Sequence, residues 1–301
     1  NFDSRFYQIL DNNSEFEPNP TIPGIANTNT ANDTEYNFTD IYAGLRYRLK
    51  TGIFTFTVAL VTGGGRRIGA EIVRSLIRAD WYVLIHVRSS KDDALELLAG
   101  EQSHSAEQPA GEVLVADLST DEGLADLIEG AKRVILEQNA QGLGVLVHNA
   151  SIYTTKDYES VSLQELRLNI RIHLEVPFLL TQGLTAQLKT GSGCVIGMID
   201  TSLGRAWDGL SHYTSTKAGL RQLMMNLAGD LAPDVRVNCV APGAILAADW
   251  EAEHFASVIE RVPLGRGGTP EDVAKAVVFL TESEYLSGQV INVDGGWSVA
   301  P

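Results

Sequence analysis

The alternation of short apolar runs with longer helical patterns is the feature that most limits how this chain folds. From Thr55 onward, seven short β-rich runs are separated by stretches with helical spacing of their apolar residues. Continuous apolar runs are typical of strands buried on both faces, and the intervening helices are long enough to cross over between parallel neighbours. The predicted strands are Phe56–Val61, Trp81–Val87, Glu112–Ala116, Val145–His148, Cys194–Ile199, Val235–Val240 and Gln289–Val293.

This pattern predicts an α/β fold: a single Rossmann-type, doubly wound parallel sheet of about seven strands with helices on both faces. The predicted helices are Arg67–Arg78, Glu122–Gln138, Leu163–Leu188, Tyr213–Leu231 and Glu271–Thr281. The domain is expected to span residues 53–301. Residues 1–52 are rich in Asn and Thr with little apolar periodicity, so we expect a disordered or loosely attached extension.

Charge and composition exclude several classes of protein. The formal net charge is −15, which argues against a nucleic-acid surface because phosphate binding needs clustered cations. No apolar run approaches the roughly 20 residues that span a bilayer, and no secretory signal is visible, so a cytoplasmic protein without a membrane partner is expected. Cys194 and Cys239 lie in apolar runs. They are expected to be buried reduced thiols rather than metal ligands, and no metal site is predicted.

A glycine-rich turn follows the first predicted strand in "FTVALVTGGGRRIGAEIV". Gly63 lets the backbone approach a pyrophosphate closely, and the helix that follows offers free N–H groups to the anion. The spacing is T-G-x-x-x-R-I-G, with Gly63 and Gly69 six residues apart and Arg67 where a third glycine often stands. We expect Gly63, Arg67 and Ile68 to bind a dinucleotide.

The end of the second predicted strand bears on the choice between NADH and NADPH. It reads "LIHVRSSKDD", with no acid at the strand end to bind a ribose 2′-hydroxyl. His86, Arg88 and Ser89 stand there instead, and an arginine with neighbouring hydroxyls suits a 2′-phosphate. The sequence therefore favours NADPH, the alternative being that Arg88 is a solvated surface charge.

A tyrosine and a lysine stand four residues apart at the start of a predicted helix. Tyr213 and Lys217 therefore share one helix face, and a cation near the phenol lowers its pKa from about 10 toward neutrality. Tyr213 is then a candidate proton donor near physiological pH. Thirteen residues before Tyr213 stands Asp200, at the end of an apolar run. Asp200, Tyr213 and Lys217 are the candidate catalytic residues.

These motifs, in this order, resemble the short-chain dehydrogenase/reductase family from about Thr55 to Ala300. The resemblance implies that Asp117 and Leu118, in "VLVADLS", contact the adenine ring; the alternative is that Asp117 caps the next helix. "LVHNAS" resembles the family's N-N-A-G, which places Asn149, Ala150 and Ser151 along the cofactor. Pro242 and Gly243, in "VNCVAPGAILAADW", resemble the turn that precedes the loop covering the substrate.

Most members of the family have a serine where this chain has Asp200. An Asp-Tyr-Lys arrangement looks like that of pteridine reductases and dihydromonapterin reductases. That resemblance implies that Tyr153 stacks on a pterin and that Arg67 lies near cofactor phosphate and substrate. With Ser151, Asp200 and Tyr213, these residues form the expected substrate site. The implied reaction is NADPH-dependent reduction of a dihydropterin; the alternatives are a 3-oxoacyl thioester reductase and a catalytically silent NADPH-sensing protein.

Two further expectations come from the resemblance. His173 stands where many members have an asparagine that supports the catalytic lysine through a water, and a titrating His173 would add pH sensitivity to the activity. The alternative is a histidine whose hydrogen bonds are satisfied within the helix. The family resemblance also implies a homotetramer.

Overall fold

The computed structural model of the protein describes residues 58–101, 110–247 and 252–300, with the side chains of 252–254 left aside. The predicted extension, residues 1–52, lies outside the described residues. So do the first two residues of the first predicted strand.

Seven strands form one sheet in the order β3-β2-β1-β4-β5-β6-β7, and every neighbouring pair is parallel. This arrangement confirms the predicted doubly wound fold. The strands are β1 (Val58–Thr62), β2 (Tyr82–Val87), β3 (Gly111–Val115), β4 (Leu143–His148), β5 (Cys194–Met198), β6 (Arg236–Pro242) and β7 (Val290–Val293).

Nine α-helices lie in the described part of the chain, together with short 3₁₀ turns and one π-helical segment. The helices are α1 (Arg67–Arg78), α2 (Lys91–Gly100), α3 (Asp121–Glu137), α4 (Leu163–Ile170), α5 (Val176–Gly183), α6 (Thr185–Thr190), α7 (Ser211–Asp230), α8 (Ala252–Ile259) and α9 (Pro270–Glu282). Helices α2 and α8 are additional to those predicted. Within the described residues, no helix combines the length and the hydropathy needed to cross a bilayer.

The prediction of one continuous helix over Leu163–Leu188 was wrong. The segment is divided into α4, a π-helical stretch at Arg171–Glu175, α5 and α6. Pro177 lies in the first turn of α5 and has no N–H to donate to the carbonyl four residues earlier. The N–H of Val176 instead donates to the carbonyl of Arg171, five residues back, which is the hydrogen bond of a π-helix.

The core forms two apolar layers, one on each face of the sheet. Alternate strand residues enter opposite layers, as Leu60 and Val61 do on β1. One layer is completed by α3 and α7, and the other by α1 and α9. Burying one aliphatic side chain of this size stabilises the fold by roughly 1.5–3 kcal/mol, so the sheet is a rigid platform for the loops at its carboxyl edge.

Candidate active site

A cavity of about 600 Å³ opens at the carboxyl edge of the sheet. In open parallel sheets this edge is where ligands bind, close to the point where the strand order reverses between β1 and β4. Ten of the predicted site residues line the cavity: Arg67, Ile68, Asn149, Ser151, Tyr153, Asp200, Tyr213, Lys217, Pro242 and Gly243. The other predicted residues, Gly63, His86, Arg88, Ser89, Asp117, Leu118 and Ala150, stand at or just after strand ends along the same edge.

Asp200 and Tyr213 are directly hydrogen-bonded. The Tyr213 hydroxyl donates to Oδ2 of Asp200 at 2.9 Å, and the tyrosine is 6% exposed. The other carboxylate oxygen, Oδ1, accepts the N–H of Ser202 at 2.7 Å at the start of the 3₁₀ turn Thr201–Gly204. Asp200 is thereby held in one orientation, with one oxygen aimed at the phenol.

Lys217 is buried behind this pair. Its Nζ donates to the carbonyl of Met198 at 2.7 Å and lies 5.8 Å from the centroid of the Tyr213 ring. Burial lowers the pKa of Lys217 from 10.5 to about 8, and the charge of Asp200 offsets part of that effect. The ammonium therefore provides positive charge on the protein side of the tyrosine at neutral pH.

His86 holds the glycine turn from below. The N–H of Gly63 donates to His86 Nδ1 at 3.1 Å, and His86 Nε2 lies 3.1 Å from the carbonyl of Ala116. Burial lowers the pKa of His86 to about 4, so the ring is neutral. Both ring nitrogens are used within the protein. The ring of His86 thus supports the glycine turn, and a contact between His86 and the cofactor stays a prediction.

Asn149 joins the turn to the end of β4. Its Nδ2 donates to the carbonyls of Thr62 at 2.9 Å and Gly63 at 3.1 Å, while the backbone N–H groups of Asn149 and Ala150 donate to Thr62 Oγ1. Gly63 has φ +64°, a conformation that favours glycine. A Cβ added to Gly69 would collide with the Gly63 carbonyl. The first turn of α1 therefore packs directly against the glycine turn.

The N-terminus of α1 is prepared for an anion. Within the described chain, no side chain caps it and its first turn holds no acid. Helices α3, α4 and α9 are each capped by a hydroxyl, from Thr120, Ser162 and Thr269, and carry acids in the first turn. These free N–H groups lie next to the glycine turn that begins at Gly63, where no side chain blocks a ligand. They therefore fit the pyrophosphate of a dinucleotide.

Arg67 occupies the family's glycine position in a left-handed conformation, with φ +55°. This conformation explains why glycine is common there, since a side chain in it costs about 1–2 kcal/mol. The guanidinium crosses the cavity mouth, where Nη2 lies 3.4 Å from the carbonyl oxygen of Leu246 and 3.3 Å from that of Ala247. Arg67 thus connects the nucleotide-side turn to the loop after β6.

The carboxyl ends of the neighbouring strands β2 and β3 lie side by side at the same edge of the sheet. Arg88 and Ser89 are exposed, and the charge of Arg88 contributes to lowering the pKa of Asp117. The larger cause is hydrogen bonding, because Asp117 Oδ1 accepts from the N–H and the hydroxyl of Ser119 at 2.9 and 2.7 Å. Asp117 therefore shapes the turn before α3. Leu118 is buried in one of the two apolar layers, and its contact with an adenine ring stays a prediction.

The substrate end of the cavity is aromatic. The rings of Tyr153 and Tyr213 meet edge to face with centroids 5.0 Å apart. Trp207, Phe255 and Trp297 also line the cavity, and the sequence reasoning did not identify them. The useful signal for Trp297 was the terminal "DGGWS", since the Gly-Gly turn directs the chain back toward the site.

His173 is also placed differently from the expectation. Its Nε2 accepts the N–H of Ile152 at 3.2 Å and lies 3.0 Å from Ser151 Oγ, while Nδ1 lies 2.8 Å from Thr216 Oγ1. Burial, with a smaller effect from the charge of Lys217, lowers the pKa of His173 to about 2. Both ring nitrogens are engaged within the protein, which favours the satisfied helix histidine over the titrating one.

Comparison with known proteins identifies the family to which the chain belongs. The family described as enoyl-(acyl carrier protein) reductase matches residues 64–298. A 3-oxoacyl-(acyl-carrier-protein) reductase of Aquifex aeolicus is 33% identical over 252 residues, with 79% of this chain and 96% of that protein covered. The dihydromonapterin reductase of Enterobacter sp. is 28% identical over 241 residues, with 79% and 95% covered.

A similar solved structure is that of FolM alternative dihydrofolate reductase 1 from Brucella canis, complexed with NADP. Its TM-score is 0.72 at 27% identity, with 81% of this chain and 95% of that chain covered. Fold, site and relatives together place the chain in the short-chain dehydrogenase/reductase family. It is an oxidoreductase of the class that uses a nicotinamide dinucleotide, NAD(P)H.

Proposed function

We propose that the protein reduces a dihydropterin, of the dihydromonapterin, dihydrobiopterin or dihydrofolate type, to its tetrahydro form with NADPH. The observation that carries this proposal is the 2.9 Å hydrogen bond from the Tyr213 hydroxyl to Asp200. A ketone reductase of this family has at that position a serine, which donates to the substrate carbonyl. A carboxylate cannot donate such a hydrogen bond, whereas it can accept from the N–H groups of a pterin.

The chemistry of a C=N bond suits this pair. When bound, NADPH supplies the hydride to the carbon atom, and the ring nitrogen needs a proton. Tyr213 holds that proton and transfers it to the nitrogen. Asp200 orients the phenol and passes a replacement proton in from water, because its carboxylate contacts both the hydroxyl and the open cavity. Lys217 supplies a positive charge that stabilises the tyrosinate formed in the step.

The walls of the cavity support a planar heterocycle. Tyr153 stands beside Tyr213 with its ring centroid 5.0 Å away, and Trp207 and Trp297 lie 6.2 Å apart between centroids on the same cavity. Aromatic side chains interact favourably with other π-systems at such separations. A substrate built on a fused ring therefore fills this space with better contacts than a flexible acyl chain.

The preference for NADPH is proposed from the end of β2. Arg88 and Ser89 are exposed there, and this strand end carries no acid. Because a guanidinium pairs with phosphate through two parallel hydrogen bonds, these residues suit the 2′-phosphate. Arg67 supplies a second positive charge between the pyrophosphate position and the substrate.

A 3-oxoacyl thioester reductase is the second candidate. It is favoured by one observation, the 33% identity to the Aquifex aeolicus enzyme, which exceeds the 28% identity to the dihydromonapterin reductase. Overall identity reflects the shared scaffold, whereas the substrate is selected by the few groups that touch it. Asp200 is such a group, and it favours the pterin.

The test is NADPH oxidation by the purified protein with dihydromonapterin, dihydrobiopterin, dihydrofolate and an acetoacetyl thioester. We expect turnover of at least one dihydropterin. Asp200→Ser should lose 10²- to 10⁴-fold in kcat for it, the usual range for removing an acid–base group, while NADPH binding is kept. Asp200→Asn is the companion variant, since it keeps the size, removes the charge and replaces one acceptor oxygen with an NH2 donor. Turnover of the thioester alone would contradict the proposal.

A cytoplasmic homotetramer is proposed for the assembly. Two observations support this proposal: both cysteines are buried and unpaired, as in reduced compartments, and several large apolar side chains are exposed on helices. These include Phe178 and Met225, on α5 and α7, and Phe279 on α9. Light scattering after size-exclusion chromatography measures the assembly, and a monomeric mass would refute a tetramer.

A further inference from the structure

A buried histidine packs against Tyr213, one of the two tyrosines of the cavity. His173 is 1% exposed and belongs to the π-helical segment Arg171–Glu175. Its ring meets that of Tyr213 edge to face, with centroids 5.6 Å apart and planes at 84°. It thus packs against the catalytic tyrosine from the protein interior, on an element that neither contributes a strand end nor faces the cavity mouth.

The hydrogen bonds of His173 determine its tautomer. A backbone N–H can only donate, so the bond from Ile152 requires Nε2 to be an acceptor. The proton of the neutral ring is then on Nδ1, which donates to Thr216 Oγ1 at 2.8 Å. Thr216 in turn donates its own proton to the carbonyl of Tyr213 at 2.8 Å. Every proton in this chain is assigned, and both ring nitrogens are engaged.

The two sides of the ring reach two different parts of the site. Nε2 holds Ile152 and Ser151, which immediately precede Tyr153 in the loop after β4. Nδ1 holds α7 at Thr216, less than one helical turn after Tyr213. A single rigid side chain therefore connects the loop that carries one tyrosine to the helix that carries the other.

The π-helical segment keeps this connection close. A Cβ added to Gly219 of α7 would lie 2.9 Å from Leu174 Cδ2, so the segment and α7 are in close contact at the residue next to His173. Pro177, just after this segment, has no N–H to donate to the carbonyl of His173. π-Helical turns inside α-helices are frequent at functional sites.

From these contacts we infer that His173 is a positioning residue: it sets the location of Tyr153 relative to the Tyr213 hydroxyl, and thereby the binding of a planar heterocyclic substrate. This inference rests on the proposed dihydropterin reduction. It assigns His173 no proton transfer, because a ring with both nitrogens engaged and a pKa near 2 stays neutral over the working pH range.

The experiment compares His173→Phe with His173→Asn. Phenylalanine keeps an aromatic ring and loses both hydrogen bonds, whereas asparagine can still reach Thr216 and is too short to reach Ile152. We expect both variants to lose roughly 10- to 100-fold in kcat/KM for the dihydropterin, mainly through KM, because small displacements of a positioning group cost this much. The dissociation constant for NADPH and the pH of half-maximal rate should stay unchanged.

His148→Phe is the matched control. His148 is also buried, and its Nε2 lies 2.8 Å from Oγ1 of Thr181, which belongs to α5 and not to the loop of Tyr153 or to α7. The His148→Phe protein should show the change in the free energy of unfolding that replacing a buried histidine causes. Its kcat and KM should equal those of the wild type. If His173→Phe does not fold, Thr216→Val removes the side-chain partner of Nδ1 instead and leaves the bond from Ile152 in place.

The outcomes separate the inference from the proposed function. A folded His173→Phe protein with wild-type KM and kcat would overturn the positioning role. A displaced pH profile would overturn it as well, since the residue would then exchange protons. A wild-type protein that reduces no dihydropterin would instead refute the proposed function, and with it the substrate named here.

Discussion

Replacing Lys217 by methionine should remove a pH dependence of stability that the buried ammonium produces. The pKa of Lys217 falls from 10.5 to about 8 on folding because the charged form is desolvated. Between these two values the unfolded chain binds more protons than the folded one, so the free energy of unfolding rises with pH across this window. Below about pH 8 the lysine is charged in both states, and the cost of burying the charge is present in full.

The size of the effect follows from the same shift. A fall in pKa from 10.5 to about 8 corresponds to about 3 kcal/mol of differential interaction. The comparison is made in a Tyr213→Phe background, so that the neighbouring phenol does not titrate in the same range. Between pH 8 and pH 10.5, the free energy of unfolding should rise by about 3 kcal/mol less in Lys217→Met, made in that background, than in the protein that keeps Lys217.

Urea unfolding at closely spaced pH values, followed by circular dichroism, measures this difference. Other alkaline groups titrate in both proteins and cancel in the difference between them. If the two free energies of unfolding run parallel from pH 7.5 to 10.5, the lysine is not desolvated as described. If the free energy of unfolding of the protein with Lys217 falls with rising pH relative to that of Lys217→Met, the pKa shift has the opposite sign.

Three further predictions, two of them with a control variant, test the nucleotide side. Arg67→Gly should raise the free energy of unfolding by about 1 kcal/mol, because glycine adopts the left-handed conformation without strain. Arg67→Ala should leave this free energy unchanged, because alanine is strained there as arginine is. Both variants should weaken NADPH binding to a similar degree in fluorescence titrations. Arg88→Ala should weaken NADPH binding about tenfold or more and leave NADH binding unchanged, while Arg66→Ala, whose guanidinium is paired with Asp93, should change neither. Gly69→Ala should lower the urea midpoint and abolish cofactor binding, because its Cβ meets the Gly63 carbonyl; normal titrations would refute the described packing.

The sheet was predictable because its strands are buried on both faces. Continuous apolar runs such as those of β1 and β5 carry that information locally, and the order of the family motifs gives the topology. The division of the long helix was not predicted, because apolar periodicity continues through it. Pro177 was the one sign of an interruption in the sequence. The kind of interruption depends on which carbonyl accepts the N–H of Val176, and the sequence does not show that.

The site was predicted where a residue's role follows from its position on a strand end or helix face. Asp200 and Tyr213 belong to this group, and their hydrogen bond joins them across thirteen residues of sequence. The histidines could not be assigned in this way. The ring nitrogens of His86 and His173 are hydrogen-bonded to residues from distant parts of the chain. Both rings are therefore buried and neutral, and they support neighbouring segments of the site.

The most direct test of the proposed activity is transfer of an isotopic label. NADPH deuterated at C4, prepared in both stereochemical forms, is incubated with the protein and dihydromonapterin, and the product is analysed by mass spectrometry. Dihydropterin reduction predicts a tetrahydropterin one mass unit heavier with one of the two forms. The account would be contradicted if no tetrahydropterin formed and the label were transferred only to an acetoacetyl thioester offered in its place.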